Sequence, residues 1–553
     1  MSHSALFDRH KDTLDQAIKA SRTREYWTAY PEMPSPKVYG ETASKDGEAA
    51  FKSYLNKAFD VDQPGAIGTV GAEKSPYGFD LRVTYPKVDV NALVSEVEAL
   101  RGDWAKASIE ARTGVCLEIL HRINRRSFEM AFAVMHTTGQ AFMMAFQAGG
   151  PHAQDRGLEA VAYAYEDMAR TPTVARWEKP QGKRDPIVME KHFTVVPRGI
   201  GLVIGCSTFP TWNSYPGLFA SLVTGNAVIV KPHPGAILPL AITVEICRDV
   251  LKEEGFNPNL VTLAADSAEA PLAKDLALRP EVKLIDFTGS TTFGDWLEDN
   301  ARQAQVYTEK AGVNCVIIDS TDNFRGLVSN LAFTLSLYSG QMCTTPQNIF
   351  IPEGGIETED GHKSFDEVAA ALATGVEKLN GDDERACAIL GAIQSEATLE
   401  RLESYGKGDN VVLASRAVPM AGFDHATIRT PLILKATDES SYSSELFGPI
   451  SYVVPTKNTA DSLSIVEDSV KNNGAISFGI YSTSEEVLNQ AEEVACNSGV
   501  AVSFNLTGGV YVNQTAAFSD FHATGCNPAA NAALSDTAYV SNRYRVVQSR
   551  KHV

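Results

Sequence analysis

No two cysteines in the chain are spaced as a CxxC pair, although eight are present, at positions 116, 206, 247, 315, 343, 387, 496 and 526. Scattered through 553 residues, they read as reduced thiols of a cytosolic protein and supply neither a disulfide frame nor a zinc site. Missing too is any apolar run near the roughly 18 residues that cross a bilayer. The opening MSHSALFDRHKDTLDQ lacks the apolar stretch of a signal peptide, so a cytoplasmic location is expected. Positive charge is in deficit: 49 Lys and Arg stand against 68 Asp and Glu, a formal net charge of −19. That balance argues against nucleic acid or an anionic membrane as partner, since both demand local positive charge. Neither a fixed-period repeat nor a low-complexity tract interrupts the chain. Hydrophobic residues make up 44% and charged residues 21%, ordinary globular usage that excludes disorder. The length exceeds one hydrophobic core, so two or more domains are expected.

The first 90 residues are rich in Tyr, Pro and Gly. Such turn-dense composition predicts an extension draped over the surface, with one helix near residues 4–21. Residues 90–170 place apolar side chains at spacings of three and four and read as helical. From GLVIGC (201–206) onward, short apolar strands alternate with helices: NAVIVK, NLVTLAA, KLIDF and VNCVIID follow in turn. The helix 238–255 between two of them ends at Gly255, a fitting C-cap. Strand–helix alternation predicts a parallel, doubly wound α/β sheet, with ligands beyond the carboxyl ends of its strands. A second α/β series begins after residue 320, and the tail TAYVSNRYRVVQSRKHV has the composition of an edge strand.

Six segments carry candidate chemistry. FTGSTTFG (287–294) follows a strand and resembles a phosphate-cradling turn onto a helix N-terminus, offering Gly289, Ser290 and Gly294; an ordinary βα turn has the same look. In NAVIVKPHPG (226–235), Lys231 ends a buried strand and His233 follows it; most lysines so placed are merely solvated. YSGQMCTTPQ (338–347) sets Cys343 after a Gly-rich break, where a thiol is either a nucleophile or an inert buried group. Glu309 in VYTEKAGVNC stands just before a buried strand, as a base or as a surface carboxylate at a strand entry. Trp212-Asn213 offers an amide at a strand end, for an oxyanion or for a helix cap. SSELFGPISYVV (443–454) places Glu445 and Phe447 before a strand, as site residues or as a plain turn.

Taken together and in this order, the segments resemble the aldehyde dehydrogenase superfamily. Its W-N, G-N-x-V-x-x-K-P and F-T-G-S-x-x-x-G motifs match Trp212-Asn213, Gly225 through Pro232 and Phe287 through Gly294. Its catalytic Glu, its G-Q-x-C and its E-x-F-G-P match Glu309, Gly340 through Cys343 and Glu445 through Pro449. Length and the long N-terminal segment most resemble the phenylacetate-degradation branch called PaaN. The resemblance implies an α/β fold of the aldehyde dehydrogenase type: a Rossmann-type cofactor domain, an α/β catalytic domain and a small β oligomerisation flap. Residues 1–90 would form an extension, 91–183 with 201–311 the NAD(P) domain, 312–526 the catalytic domain, and 184–200 with 527–553 the oligomerisation segments of a homodimer or homotetramer. It further implies that Cys343 attacks an aldehyde and that the Asn213 amide with the Cys343 N–H holds the oxyanion. Hydride would pass to NAD(P), and Glu309 would activate water to release a carboxylic acid. Lys231 would meet the adenosine ribose, Gly289 and Ser290 the pyrophosphate, Glu445 the nicotinamide ribose with Phe447 beside it; Trp212, His233 and Gly294 are counted with the cofactor site. The implied substrate is a semialdehyde from aromatic-ring catabolism, with a coenzyme A thioester among the candidates. No metal is expected.

Three departures stand out. The family's E-L-G-G is E-K-A-G here, setting Lys310 beside the expected base, where it would alter the base's pKa and freedom to swing. Pro234 stands where NAD-preferring members carry a Glu, which removes repulsion against a 2′-phosphate and leans the expectation toward NADP. The C-terminal P-F-G-G-x-K-x-S-G becomes AFSDFHATG (517–525). Competing functions are a coenzyme A-acylating dehydrogenase, which Glu309 argues against, and a non-catalytic binding protein keeping the fold. A cysteine hydrolase would need a His beside Cys343, and no local pattern supplies one.

Overall fold

A computed structural model describes residues 4–553. Two parallel-rich sheets organise it. The six-stranded sheet runs, in spatial order, Ala530–Asn531, Gln305–Lys310, Val282–Gly289, Ile200–Ile204, Ala227–Lys231 and Val261–Leu263, and only the first strand is antiparallel to its neighbour. Strands Ile200–Ile204 and Ala227–Lys231 are buried at every position and apolar up to the terminal Lys231, as a sheet covered on both faces requires. The seven-stranded sheet runs Val411–Leu413, Leu432–Lys435, Ile450–Thr456, Asn348–Pro352, Cys315–Ile318, Ser477–Tyr481 and Ala501–Phe504. All its pairings but the first are parallel.

Two strands differ from the sequence expectation. Cys315–Ile318 does not extend the first series but lies inside the second sheet. Glu309 precedes the buried strand Cys315–Ile318 but also lies within a strand of its own, Gln305–Lys310, paired with Ala530 from the C-terminal segment. The C-terminal edge strand is present: Tyr544–His552 pairs antiparallel with Arg184–Pro197, which also pairs with Val174–Gln181. At the root of this exposed three-stranded sheet, the Arg543 guanidinium is fully buried and donates to both Asp286 oxygens, while the Tyr539 hydroxyl donates to Asp286 Oδ1 at 2.7 Å.

Helices cover the six-stranded sheet. Leu238–Glu253 ends as expected, Gly255 taking a left-handed φ of 80°. Its N-terminus is capped from far away: Glu73 Oε1 accepts from Ile237 N at 2.6 Å and Leu238 N at 3.0 Å.

The first 90 residues are not draped over the surface. Helix Ser4–Thr23 packs on Ile109–Arg125 and Ala153–Ala169, with Leu14 and Ala17 wholly buried. Helix Ala43–Tyr54 lies so close to Ser127–Thr138 that a Cβ at Gly47 would sit 2.5 Å from the Phe128 Cβ. Gln63 reads the backbone of the edge strand at Leu263 in both directions, at 2.6 and 2.8 Å, closing an edge that would otherwise be open. Turn-rich composition hid this burial beyond the first helix, because anchors such as Gly47 and Gln63 are single residues without periodicity.

Candidate active site

Cys343 follows a strained turn. Tyr338, Ser339 and Gly340 take consecutive left-handed φ values of 52°, 49° and 64°. Side chains outside the turn hold this costly backbone: the Tyr338 hydroxyl donates to Thr138 O at 2.6 Å and the Ser339 hydroxyl to Gly391 O at 2.8 Å. Only glycine fits at 340, since a Cβ would lie 2.6 Å from Gly448 O. The Asn314 amide then donates to Cys343 O at 2.7 Å, tying the thiol's backbone to the seven-stranded sheet.

Asn213 comes from the first turn of helix Pro210–Val223, where Pro210 serves as a helix opener that needs no N–H partner. Asn213 Nδ2 donates to Glu309 Oε2 at 3.2 Å, and Asn213 Oδ1 accepts from the Cys206 thiol at 3.6 Å. Glu309 is 1% exposed. Burial alone would raise its pKa, yet the His522 imidazole and hydrogen bonds from His522 and Cys343 hold it below the ordinary carboxylate value. The Cys343 thiol moves the other way, pushed well up by burial and then by the Glu309 charge.

His522 is the residue that sequence reasoning missed. Its Nε2 lies 4.0 Å from Cys343 Sγ and 3.4 Å from Glu309 Oε1, and its Nδ1 lies 3.5 Å from Thr515 Oγ1. The signal was on the page: His522 occupies the Lys position of the altered C-terminal motif. Trp212 stands edge-on to the imidazole with ring centroids 4.9 Å apart, and the Arg156 guanidinium carbon sits 5.4 Å from the Trp212 ring centroid. Arg156 is itself neutralised by Glu159 at 2.9 Å, both wholly buried.

Cys343, Trp212 and His522 line a cavity of about 480 Å³. Its walls include Tyr26, Trp27, Thr28 and Glu32 from the N-terminal segment, with Phe209 and Tyr511 opposite. Asp155, also in the wall, accepts from the Ala29 N–H at 3.1 Å, and burial pushes its pKa up to about 7.

The remaining expected residues fall around the strand ends. Lys231 ends Ala227–Lys231, is buried, and pairs with Asp266 at 2.8 Å. Ser290 caps helix Thr291–Asn300, its hydroxyl oxygen accepting from Phe293 N at 3.4 Å. Gly289 packs beneath the Phe287 ring, and a Cβ at Gly294 would strike Lys310 Cγ at 2.5 Å. Glu445 and Phe447 line a narrow cleft with Met342 and Gly312 on the other side of Cys343; burial pushes the Glu445 pKa up to about 7. His233 is not drawn in: its ring is exposed and its Nδ1 accepts from Gly235 N at 3.1 Å. Lys310 does not face Glu309. Its ammonium pairs with Asp295 at 3.0 Å and Glu298 at 3.1 Å, so the feared perturbation of the base is absent.

A thiol, a buried carboxylate and a carboxamide are gathered between two α/β sheets, near the strand ends where open α/β sheets hold their ligands. The aldehyde dehydrogenase family model matches residues 84–526, and the chain belongs to that family, an oxidoreductase acting on aldehydes. A crystal structure of an NAD-dependent aldehyde dehydrogenase from Burkholderia multivorans is 59% identical, with a TM-score of 0.98 over 99% of both chains. The 2-aminomuconic 6-semialdehyde dehydrogenase of a Pseudomonas species is 24% identical over 65% of this chain and 71% of its own. A Thermus 1-pyrroline-5-carboxylate dehydrogenase with bound NAD shares the fold at 18% identity, with a TM-score of 0.74 over 96% of this chain and 99% of its own. Among the described residues, no helix is long and apolar enough to cross a membrane.

Proposed function

We propose that the protein oxidises an aldehyde to its carboxylic acid through a thioester on Cys343. The cluster of Cys343, Glu309 and Asn213, with Cys343 opening onto the cavity, carries this reading. The Cys343 sulfur bonds to the carbonyl carbon, and the carbonyl π pair moves onto oxygen. The Asn213 amide, whose Nδ2 also donates to Glu309, and the Cys343 N–H hold that oxyanion, a contribution worth about 10²–10³ in rate in other enzymes. When bound, the cofactor's nicotinamide supplies the hydride acceptor. Glu309, held ionised, then takes a proton from water; the new C–O bond forms and the C–S bond breaks.

The donor set around the strand ends fits NAD(P). Ser290 opens a helix whose first N–H groups suit a pyrophosphate, with Gly289 leaving no side chain at the turn; Gly294 lets the helix sit close against Lys310. On this reading Lys231 and Glu445 would take the ribose hydroxyls and Phe447 the nicotinamide side, while Trp212, lining the cavity with Cys343, would face the aldehyde. The NADP expectation rests on Pro234, but Asp266 neutralises Lys231 and supports NAD as the better cofactor. On this reading residues 91–183 and 201–311 hold the cofactor, 312–526 supply Cys343, and 184–200 with 527–553 pair subunits.

The substrate class we infer is an aldehyde or semialdehyde of aromatic origin, as in the PaaN branch, with its coenzyme A thioester as one form. Tyr26, Trp27, Phe209, Trp212 and Tyr511 in the wall support it. An ionised Glu309 weighs against coenzyme A as the acyl acceptor. The test is an aldehyde panel assayed with NAD and NADP, with and without coenzyme A, using Cys343→Ala as control. Reduced cofactor and free acid from the wild type alone are expected; no oxidation of any aldehyde refutes the reading.

A further inference from the structure

We propose that His522 is the proton acceptor of Cys343, so that the resting nucleophile is a thiolate paired with an imidazolium. This deepens the reading above and rests on Cys343 being its nucleophile. The geometry supplies three reasons. First, Nε2 is in contact with the reacting sulfur at 4.0 Å, while Nδ1 faces the Thr515 hydroxyl at 3.5 Å. Nε2, which also reaches Glu309 Oε1 at 3.4 Å, is therefore the ring nitrogen that meets the thiol. Second, a carboxylate already occupies the site. Ionising Cys343 beside Glu309 places two anions together in a dry pocket, which burial alone makes costly. A cation between them relieves both, and Nε2 lies 3.4 Å from Glu309 Oε1. Third, the ring cannot turn away. It is 3% exposed and wedged against the Trp212 edge.

The loop that carries it is fixed by distant parts of the chain. The Phe518 N–H donates to Glu159 at 3.0 Å, Phe518 O accepts from Arg24 at 3.1 Å, and the Phe518 ring meets Trp27 with centroids 5.2 Å apart. Phe518 and Ala523 hold left-handed φ values of 65° and 53°, backbone strain that such anchors must sustain.

The transfer balances. The Cys343 S–H bond breaks, its pair stays on sulfur, and the proton binds Nε2, which then donates to Glu309 Oε1. When sulfur leaves the acyl carbon it takes the bonding pair and becomes a thiolate again, facing the imidazolium, which has kept its proton throughout. The charged and titratable groups that face the pair are Glu309 on its strand, Cys206 after Ile200–Ile204, Arg156 across Trp212, Glu445 beyond Cys343, and Asp520 on the same loop.

The test is the pH profile of iodoacetamide alkylation at Cys343, followed by peptide mass spectrometry and needing no aldehyde. EDTA is included, because Sγ, Nε2 and the Glu309 oxygen lie within 4.8 Å of one another and would bind a stray cation. The wild type is expected to show an inflection below the free-thiol value of about 8.5. His522→Gln, similar in size but unable to take the proton, should raise the inflection by at least one unit and slow alkylation at pH 7 about tenfold. His522→Lys, restoring a cation, should bring part of the rate back. Thermal melts identify a variant that fails to fold, and then the wild-type profile decides alone. A wild-type inflection above the free-thiol value, or an unchanged profile in folded His522→Gln, overturns the proposal. Aldehyde oxidation with an unmoved alkylation profile sinks the pair and spares the dehydrogenase reading; the reverse outcome does the opposite.

Discussion

The two segments outside the paired α/β sheets are built on opposite physical terms. The N-terminal segment through Val88 is stitched into the monomer by burial: Leu14, Ala17, Leu81 and Val83 are wholly excluded from water, and Phe51 and Tyr77 nearly so. The C-terminal strand Tyr544–His552 and the opposite edge strand Val174–Gln181, both paired to Arg184–Pro197, bury almost nothing on either face, and Val174, Val546 and Val547 lie about half in water. Here backbone pairing and the Arg543–Asp286 contact at the root do the holding. A segment that looks like an accessory in composition is thus part of the core, while one that forms regular sheet stands outside it. Regularity of hydrogen bonding and contribution to the core are separate quantities.

The harshest way to break that contrast is to delete residues 1–88. Each of the buried side chains named above is worth about 1.5–3 kcal/mol when large, so their sum rivals the about 5–15 kcal/mol by which a domain is stable. No soluble, cooperatively unfolding protein is expected by circular dichroism and gel filtration; a well-folded truncation would show that the segment is an accessory after all.

A subtler cut is at Glu73. Burial raises its pKa from 4.5 to about 7, against the hydrogen bonds it accepts from Tyr85, Leu238 and Ile237. The unfolded chain releases this proton near pH 4.5 and the folded chain only near 7, so between those values the native state binds more protons. This group's contribution to stability therefore falls as pH rises through that window. In urea titrations across that range, Glu73→Gln should flatten the slope, whereas Glu73→Ala should cost about 1–3 kcal/mol by stranding the helix N–H groups. Equal slopes in wild type and Glu73→Gln would mean that Glu73 titrates normally.

Smallest of all should be the effect of Val546→Glu with Val547→Lys. Both positions are exposed, so monomer stability should move by no more than about 0.5 kcal/mol. Sedimentation should nevertheless report a smaller assembly if this sheet pairs subunits. A large loss of stability with unchanged mass would reverse the roles assigned to the two segments.

The legibility of the sequence follows the same division. The alternating strands were readable because buried parallel strands are near-continuous apolar runs, as in Ile200–Ile204 and in Ala227–Lys231 up to its terminal lysine. Cys343, Glu309 and Asn213 could be named because strand and helix ends carry short, ordered motifs. His522 was overlooked because its motif registers as a loss when compared with the usual pattern, although a Lys replaced by another basic group is a substitution of function. The direction of Lys310 was beyond reach, since only the helix Thr291–Asn300 reveals the carboxylates that draw it away. By composition Cys315–Ile318 reads as a continuation of the first series, because composition says nothing about which neighbours a strand will find; only the family resemblance grouped it with residues 312–526.

Tyr26, Trp27 and Thr28 wall the reaction chamber, and Arg24 with Trp27 clamps the loop of His522, yet all of them precede the segment 84–526 that defines the family. A chimaera that transplanted only the shared segment would move the reagents without the fixture that aligns them. Attempts to retune what this protein accepts are therefore best begun upstream, in a stretch of chain that comparisons limited to the common segment leave out.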